Sequence, residues 1–383
     1  MTMELLADFV MSAAAATTMA QSTVTLYGLI DEGINYTNNV GGNKLFEFQS
    51  GTVQGSRWGL KGAEDLGGDL KAVFQLESGF NVNNGKLGQG GLMFGRQAWV
   101  GIASNQYGTV TLGRQYDSVV NYLAQTTANG TWGGGMFSHP YDNDNTDNTF
   151  RINNTVKYTS PEIAGFKFGG TYSFSNDTNF ANNRAYSMGV QYVIGGLLLE
   201  AAYLQANNQS STAGGAIGNN PAADENFLGN KLRIFGAGAT YTFGSANVGI
   251  SYSNTFVANL VSSGYVGKIT PASGTLSNLR YQNFEINGKY QFTPAFFVGA
   301  MYTYTLSGFN ATTGKLKPNY ETAGLMADYS LSKRTDVYVQ SAYQHVGGDR
   351  TGSALDFAFV PVADDVSSNR NQVVARVGLR HKF

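Results

Sequence analysis

From Thr23 to the last residue, apolar side chains alternate with polar or small ones in segments of about ten residues. Val24, Leu26, Gly28 and Ile30 interleave with Thr23, Thr25, Tyr27, Leu29 and Asp31. Leu70, Ala72, Phe74 and Leu76 interleave with Lys71, Val73, Gln75 and Glu77. At the end of the chain Val373, Ala375, Val377, Leu379, His381 and Phe383 interleave with Gln372, Val374, Arg376, Gly378, Arg380 and Lys382. A period of two is the repeat of a β-strand, whose successive side chains point to opposite faces. No stretch reaches ~18 consecutive apolar residues, so the sequence predicts no transmembrane helix.

The linkers alternate as well. Short ones at 63–69, 105–108, 161–165, 195–196, 244–245, 294–295 and 333–335 take turns with long ones at 39–55, 82–91, 117–149, 176–183, 207–230, 259–279, 310–319 and 348–368. This predicts sixteen antiparallel strands, with short turns on one rim and long loops on the other. In lipid every backbone N–H and C=O needs an internal partner, which a closed barrel supplies. The expected fold is therefore all-β: a 16-stranded antiparallel transmembrane β-barrel with a water-filled interior, spanning 21–383 as one domain. A soluble sandwich or β-solenoid would also alternate along its strands. It would not give the short and long linkers their order.

Composition narrows the function. Among 383 residues only 13% are charged and the formal net charge is −1, which argues against a nucleic-acid binder and against an acidic tail. The absence of Cys removes a disulfide framework and thiolate chemistry. Low charge without a globular core fits walls that touch lipid outside and water inside. Tyr158, Tyr172, Phe243, Phe296, Phe297, Tyr302 and Tyr304 fall near strand ends, as interfacial aromatic girdles would. At the N-terminus AAAATTMA (13–20) ends in small residues before Gln21, like a signal-peptidase site. A signal peptide over 1–20 and export to the outer membrane are expected, although MTMELLADF has no Lys or Arg and carries Glu4 and Asp8.

One linker stands apart. Between the alternating segments 109–117 and 150–160 lie some thirty residues rich in Gly, Asn, Thr and Asp. A connection that long without strands of its own is expected to be functional, here by folding into the lumen. Strand parity points Arg57 and Lys61 inward, then Lys71 and Glu77, then Arg151, Asn153, Thr155 and Lys157. The parity around Arg96 is ambiguous, because both faces of 96–100 are partly apolar. Lys61, Lys71, Arg376 and Arg380 are expected as solvated lumen charges. Glu32 takes lipid-facing parity, which suits only a rim or a subunit contact.

The motifs VTLYGLIDEG (24–33), SRWGLKGAEDLGGDLKAVFQLESGF (56–80), FGRQAWVGI (94–102), YGTVTLGRQYD (107–117), NNTVKYTSPEIAGFKFGGTYSFSN (153–176) and VGLRHKF (377–383) resemble the trimeric general-diffusion porins of Gram-negative outer membranes, most closely the β-proteobacterial branch. The resemblance spans 21–383. It implies a homotrimer and a third extracellular loop folded inward. It implies that Arg57, Arg96 and Arg151 form a basic cluster facing that loop, and an Arg turned to lipid would cost ~2–4 kcal/mol at the midplane. Glu77 and Asp117 are the candidate acidic partners, and Trp132, Gly133, Gly134, Gly135, Met136 and Phe137 the candidate constriction loop. Enteric members carry a Pro-Glu-Phe-Gly-type motif at the loop tip. Here NGTWGGGMF (129–137) holds no carboxylate, so a net positive ring and an anion-selective diffusion channel are expected. Phe383 resembles the terminal signal read by the barrel-assembly machinery. Outer-membrane lipid and lipopolysaccharide are the expected surroundings, with no cofactor.

Competing functions fare less well. A substrate-specific channel for a dicarboxylate shares the same cluster. A sugar channel would want a ladder of aromatics along the lumen, and only scattered candidates such as Tyr27 exist. A hydrolase needs a nucleophile, a His base and an orienting partner, and none of His139, His345 and His381 has a nucleophile at useful spacing. The Asn/Asp run 142–148 lacks calcium-loop spacing and reads as a solvated turn. The glycines at 133–135 lack the Lys and helix of a phosphate cradle. A receptor role for the Asn- and Ser-rich surface loops has nothing diagnostic behind it.

Overall fold

A computed structural model describes residues 22–209, 214–218 and 225–383; the expected leader 1–20 lies outside them. Sixteen strands follow in chain order: β1 Thr23–Val40, β2 in two pieces Asn43–Ser50 and Arg57–Gly67, β3 Leu70–Gly79, β4 Gln97–Ser104, β5 Gly108–Gln115, β6 Ile152–Thr159, β7 Phe166–Ser173 and β8 Arg184–Ile194. Then come β9 Leu197–Asn207, β10 Lys231–Phe243, β11 Ala246–Ala258, β12 Leu276–Thr293, β13 Phe296–Ala311, β14 in two pieces Gly314–Leu316 and Pro318–Ser330, β15 Thr335–Gly348 and β16 Asn371–Lys382. Each pairs antiparallel with its sequence neighbours. β1 pairs with β16 from Leu29 opposite Lys382 to Thr37 opposite Val374, so the sheet closes and has no edge. This is the barrel that the alternating linkers predict.

The two faces differ as period two requires. β9 buries Glu200, Ala202, Leu204 and Ala206, while Leu199 just before them faces out. Val100, Leu112, Ile250, Ile286, Leu325 and Val377 stand on the outer face, Val377 at 62% exposure in the isolated chain. Only lipid or a neighbouring subunit suits such a surface. Aromatic groups mark both rims: Tyr290, Phe292 and Phe296 by the short turns, Tyr172, Phe174 and Phe180 by the long loops.

Three linkers are shorter than their composition suggests. β2 runs on to Gly67, so the turn expected at 63–69 shrinks to Gly68 and Asp69, whose carboxylate accepts from Ser104 at 2.7 Å. The expected loop 39–55 is mostly a hairpin through Gly41 and Gly42. Its real break is 51–56, where the Val53 and Gln54 amides both donate to Asp31 at 2.8 Å. The stretch 310–319 is likewise a hairpin, with Ala311 opposite Gly314. Polar side chains on a strand that rises above the membrane look like loop in sequence.

Arg376 departs from expectation. It is fully buried, donating to Asn35 and Tyr338 at 2.8 Å, the Gln49 carbonyl at 2.9 Å and Asp31 at 3.3 Å. Arg380 bonds Asp336 at 3.1 Å rather than standing in solvent. At the seam, Phe383 and Gly28 exchange backbone hydrogen bonds of 3.0 Å, and the Phe383 ring covers Gly28, where a Cβ would collide with it.

Candidate constriction site

The long linker between β5 and β6 begins with Asp117. Its carboxylate accepts from the Val119 and Val120 amides at 2.7 and 3.4 Å and caps a short helix, α1 (Ser118–Asn121). It also accepts from Asn145 at 2.8 Å and is fully buried. Asp117 is thus a fastening inside the loop and not a constriction carboxylate, because the helix amides claim it.

Beyond α1 the chain follows the inner wall along a line of inward-facing glycines. Tyr122 covers Gly189, Leu123 covers Gly236, Thr126 covers Gly238, Trp132 covers Gly299 and Phe137 covers Gly324. A Cβ at Gly299 would come within 2.6 Å of the Trp132 ring, and one at Gly324 within 2.6 Å of Phe137. The absence of side chains there is what lets bulky loop residues lie flat against backbone. Trp132 and Phe137 also meet edge to face at 5.4 Å.

Polar groups complete the attachment. The His139 ring sits between Asp144 at 2.6 Å and Glu285 of β12 at 3.0 Å, all fully or nearly fully buried. Burial opposes the imidazolium, but Asp144 and then Glu285 more than compensate and carry His139 up to about 10. Asp144 also accepts from Ser253 of β11, and Asn283 of β12 bonds Asn143 at 2.8 Å. Farther on, Tyr141 stacks on Phe359 at 5.8 Å and meets Phe227, Tyr265, Tyr281 and Tyr320 at its edges. Residues from four long loops and two strands make one aromatic core inside the barrel.

On the opposite side of the loop lies a cavity of about 530 Å³. Its wall carries Arg57, Arg96, Tyr116 and Arg151; the loop offers Gly130, Thr131, Asp147 and Asn148. Arg96 Nε donates to Glu77 at 2.7 Å, and Arg57 lies 3.9 Å from the same oxygen. Arg96 Nη2 donates to the Tyr116 hydroxyl at 2.8 Å, while the Arg151 guanidinium lies 5.3 Å from the Tyr116 ring centre. Arg151 Nη2 donates to Asn148 at 2.6 Å. The Glu77 carboxylate and the Tyr116 π-face thus reduce the repulsion among three guanidiniums.

The structure brings together Arg57, Arg96, Arg151 and Glu77 as the sequence expected, by a different route for two of them. Arg96 and Arg151 precede β4 and β6 and are not on the strands. Asn154 takes a positive φ of 53° and breaks the parity of β6, so Asn153 bonds Arg114 at 2.6 Å and does not face the lumen. Trp132, Gly133, Met136 and Phe137 face wall rather than cavity, and Gly134 and Gly135 press on Thr52 and Val53 at the break in β2. The expected tip is therefore the loop's anchored face. Two groups on the cavity, Tyr116 and Glu225, escaped the sequence reading, and Asp147 entered it only as part of the solvated turn expected at 142–148. Tyr116 was visible in the GRQYD motif, but nothing in spacing marks Asp147 or Glu225. Burial pushes the Asp147 carboxyl up to about 7, against the pull of Ser138, Arg151 and Arg96. Asp142 is raised well above the carboxylate range, first by burial and then by Asp147 and Asp144. Its oxygens accept from the Asp147 amide at 3.0 Å and the Thr149 hydroxyl at 2.7 Å, so the Asn/Asp run is a set of buried turns and not a solvated one.

Comparison with known proteins follows the same line. A family model described as Gram-negative porin matches residues 7–349. An outer membrane porin protein of Bordetella pertussis is 33% identical over 418 residues, covering 99% of this chain and 99% of the relative. Outer membrane porin protein 32 of Delftia acidovorans is 28% identical over 393 residues, covering 97% of each. Among solved structures, an anion-selective porin from Comamonas acidovorans superposes with a TM-score of 0.69 at 22% identity, over 95% of this chain and 100% of that one. A trimer form of OmpT from Vibrio cholerae gives 0.65 at 17% identity, over 94% and 99%.

Proposed function

The chain belongs to the Gram-negative porin family, and from that premise we propose that its pore selects anions at the cavity walled by Arg57, Arg96 and Arg151. It is an outer-membrane β-barrel through which small hydrophilic solutes and ions diffuse passively. The observation that carries the selectivity is three guanidiniums on one cavity with Glu77 as the carboxylate bonded among them. Fixed cations in a narrow, low-dielectric passage raise the local concentration of anions and repel cations. The test is the reversal potential of purified protein in a planar bilayer under a KCl gradient. A chloride-favouring sign is expected; a potassium-favouring sign refutes the reading.

The rest of the proposal concerns assembly. The apolar outer face suits outer-membrane lipid and lipopolysaccharide, and a homotrimer would cover part of it. Slow, heat-sensitive migration on an unboiled gel is expected of the trimer, and monomer migration without boiling refutes it. Phe383 is proposed as the residue read by the barrel-assembly machinery. Its packing on Gly28 at the seam also makes it part of the closed barrel. A channel specific for a dicarboxylate is the second reading, favoured by paired guanidiniums that suit carboxylates. Concentration-dependent block of chloride current by malonate would separate it from general diffusion.

A further inference from the structure

Behind the loop, on the side of the short turns, a second cavity of about 350 Å³ opens between α1 and the wall of β6 to β8. Its charged wall groups are two lysines, Lys157 of β6 and Lys167 of β7; Asn121, Tyr122, Gln125 and Gln191 form most of the remainder. Lys157 Nζ donates to the Tyr116 carbonyl at 3.3 Å. Neither lysine forms an ion pair among the described residues. The acids close by are Asp117, which bonds its helix amides and Asn145 and attracts Lys157 without an ion-pair contact, and Glu200, one oxygen of which accepts from Gln191 at 2.7 Å. An ammonium has three N–H donors, so after the bond to Tyr116 most of the six remain to be satisfied.

Tyr116 joins this cavity to the constriction. Its hydroxyl accepts from Arg96, its ring lies beneath Arg151, and its carbonyl holds Lys157. A chain of cations thus runs from the narrow point toward the short-turn mouth along one side of the lumen. The other side, where the loop is pinned to β10–β14, is largely filled by aromatic and aliphatic side chains around the loop.

We propose that Lys157 and Lys167 form a second anion-binding station, below the constriction, for small multivalent oxyanions of the size and charge of inorganic phosphate. Two ammoniums with free donors can engage more than one oxygen of such an ion, which a halide cannot exploit. The cavity is large enough to leave part of the ion's water in place. A station there holds an ion that has passed the arginines, and a second ion entering the constriction repels it onward. The proposal rests on the anion-selective reading of the pore.

Single-channel recording tests it with the Lys157→Gln and Lys167→Gln variants and Lys333→Gln, which lies in an exposed short turn, as the control. At about 10 mM KCl, where charges act over ~30 Å, each station variant is expected to lower conductance roughly twofold, with little change at about 1 M. Millimolar phosphate is expected to reduce the chloride current of the unaltered protein, and the two variants are expected to lose most of that block. Unchanged low-salt conductance and unchanged block in both variants overturn the station, as does an equal effect from Lys333→Gln. These outcomes leave the constriction reading intact, since that reading fails only on a potassium-favouring reversal potential of the unaltered protein. Unchanged gel migration of each variant shows that the barrel has folded.

Discussion

Asp147 is expected to make the proposed constriction titratable. It shares the cavity with Arg151 and Arg96, and burial pushes its carboxyl up to about 7. A raised carboxyl is neutral below its pKa and charged above it, so the ring of charge grows more positive as the solution is acidified. At about pH 5 the group is almost wholly neutral and at about pH 9 almost wholly ionised. A cavity of about 530 Å³ has an equivalent radius of about 5 Å, which puts a wall charge some 7 Å from its centre. One charge at that distance contributes ~0.6 kcal/mol in water, and about half that in 0.1 M salt. It acts with opposite sign on chloride and potassium, so their permeability ratio is expected to change about threefold. The assay is reversal potential under a KCl gradient at about pH 5, 7 and 9, on the unaltered protein and on Asp147→Asn. Anion preference is expected to fall with rising pH in the former and to stay high and nearly flat in the latter. A flat profile in the unaltered protein, or an undiminished pH response in Asp147→Asn, refutes the assignment.

Removing a guanidinium acts in the other direction: Arg57→Ala or Arg151→Ala is expected to reduce the permeability ratio by a similar factor, about threefold, and unchanged selectivity in both would take these residues out of the constriction. His139→Ala leaves Asp144 and Glu285 buried without their cation, which typically costs ~3–5 kcal/mol, so noisier single-channel currents and earlier thermal unfolding are expected. Because folding raises His139 from 6.5 to about 10, its contribution is complete below the lower value and is lost as pH rises through the upper one. Noise in the unaltered protein is therefore expected to set in near pH 10, and quiet channels well above that would count against the attachment. Gly324→Ala places a methyl within 2.6 Å of the Phe137 ring, and Gly299→Ala does the same to Trp132. Each is expected to displace the loop and change conductance, while conductance and its fluctuation equal to those of the unaltered protein would show that the rings move aside without consequence.

The barrel was legible because its rule is local: each strand repeats with period two, and the terminal run from Gln372 to Phe383 keeps that period without interruption. Strand ends were less so. Asn43–Ser50 is strand, yet its Asn, Lys, Glu, Gln and Ser look like loop and hide the alternation of Phe46 and Phe48 on its outer face. The basic cluster came through where parity or motif carried it, and Glu77 came with it. Parity failed at Asn154, where a bulge turned the strand, and the resemblance misled at Asp117, whose acid is claimed by the helix it starts. Asp147 and Glu225 reach the cavity only by long-range folding of loops, which no spacing records. The absence of a carboxylate from 129–137 was real, but only Asn129, Gly130 and Thr131 of that segment line the cavity while 132–137 face wall, so the loop's charge enters with Asp147, some ten residues later.

The inward-facing glycines have a consequence for anyone who would rebuild this channel. Gly189, Gly236, Gly238, Gly299 and Gly324 form a mould for Tyr122, Leu123, Thr126, Trp132 and Phe137. Mould and casting lie in distant parts of the chain, yet neither is useful alone. A loop grafted from another barrel would meet hollows shaped for different side chains, and this loop placed in a wall with alanines would ride high and narrow the passage. Exchanging the aperture between relatives therefore means transplanting the hollows of β8 to β14 together with the loop that fills them.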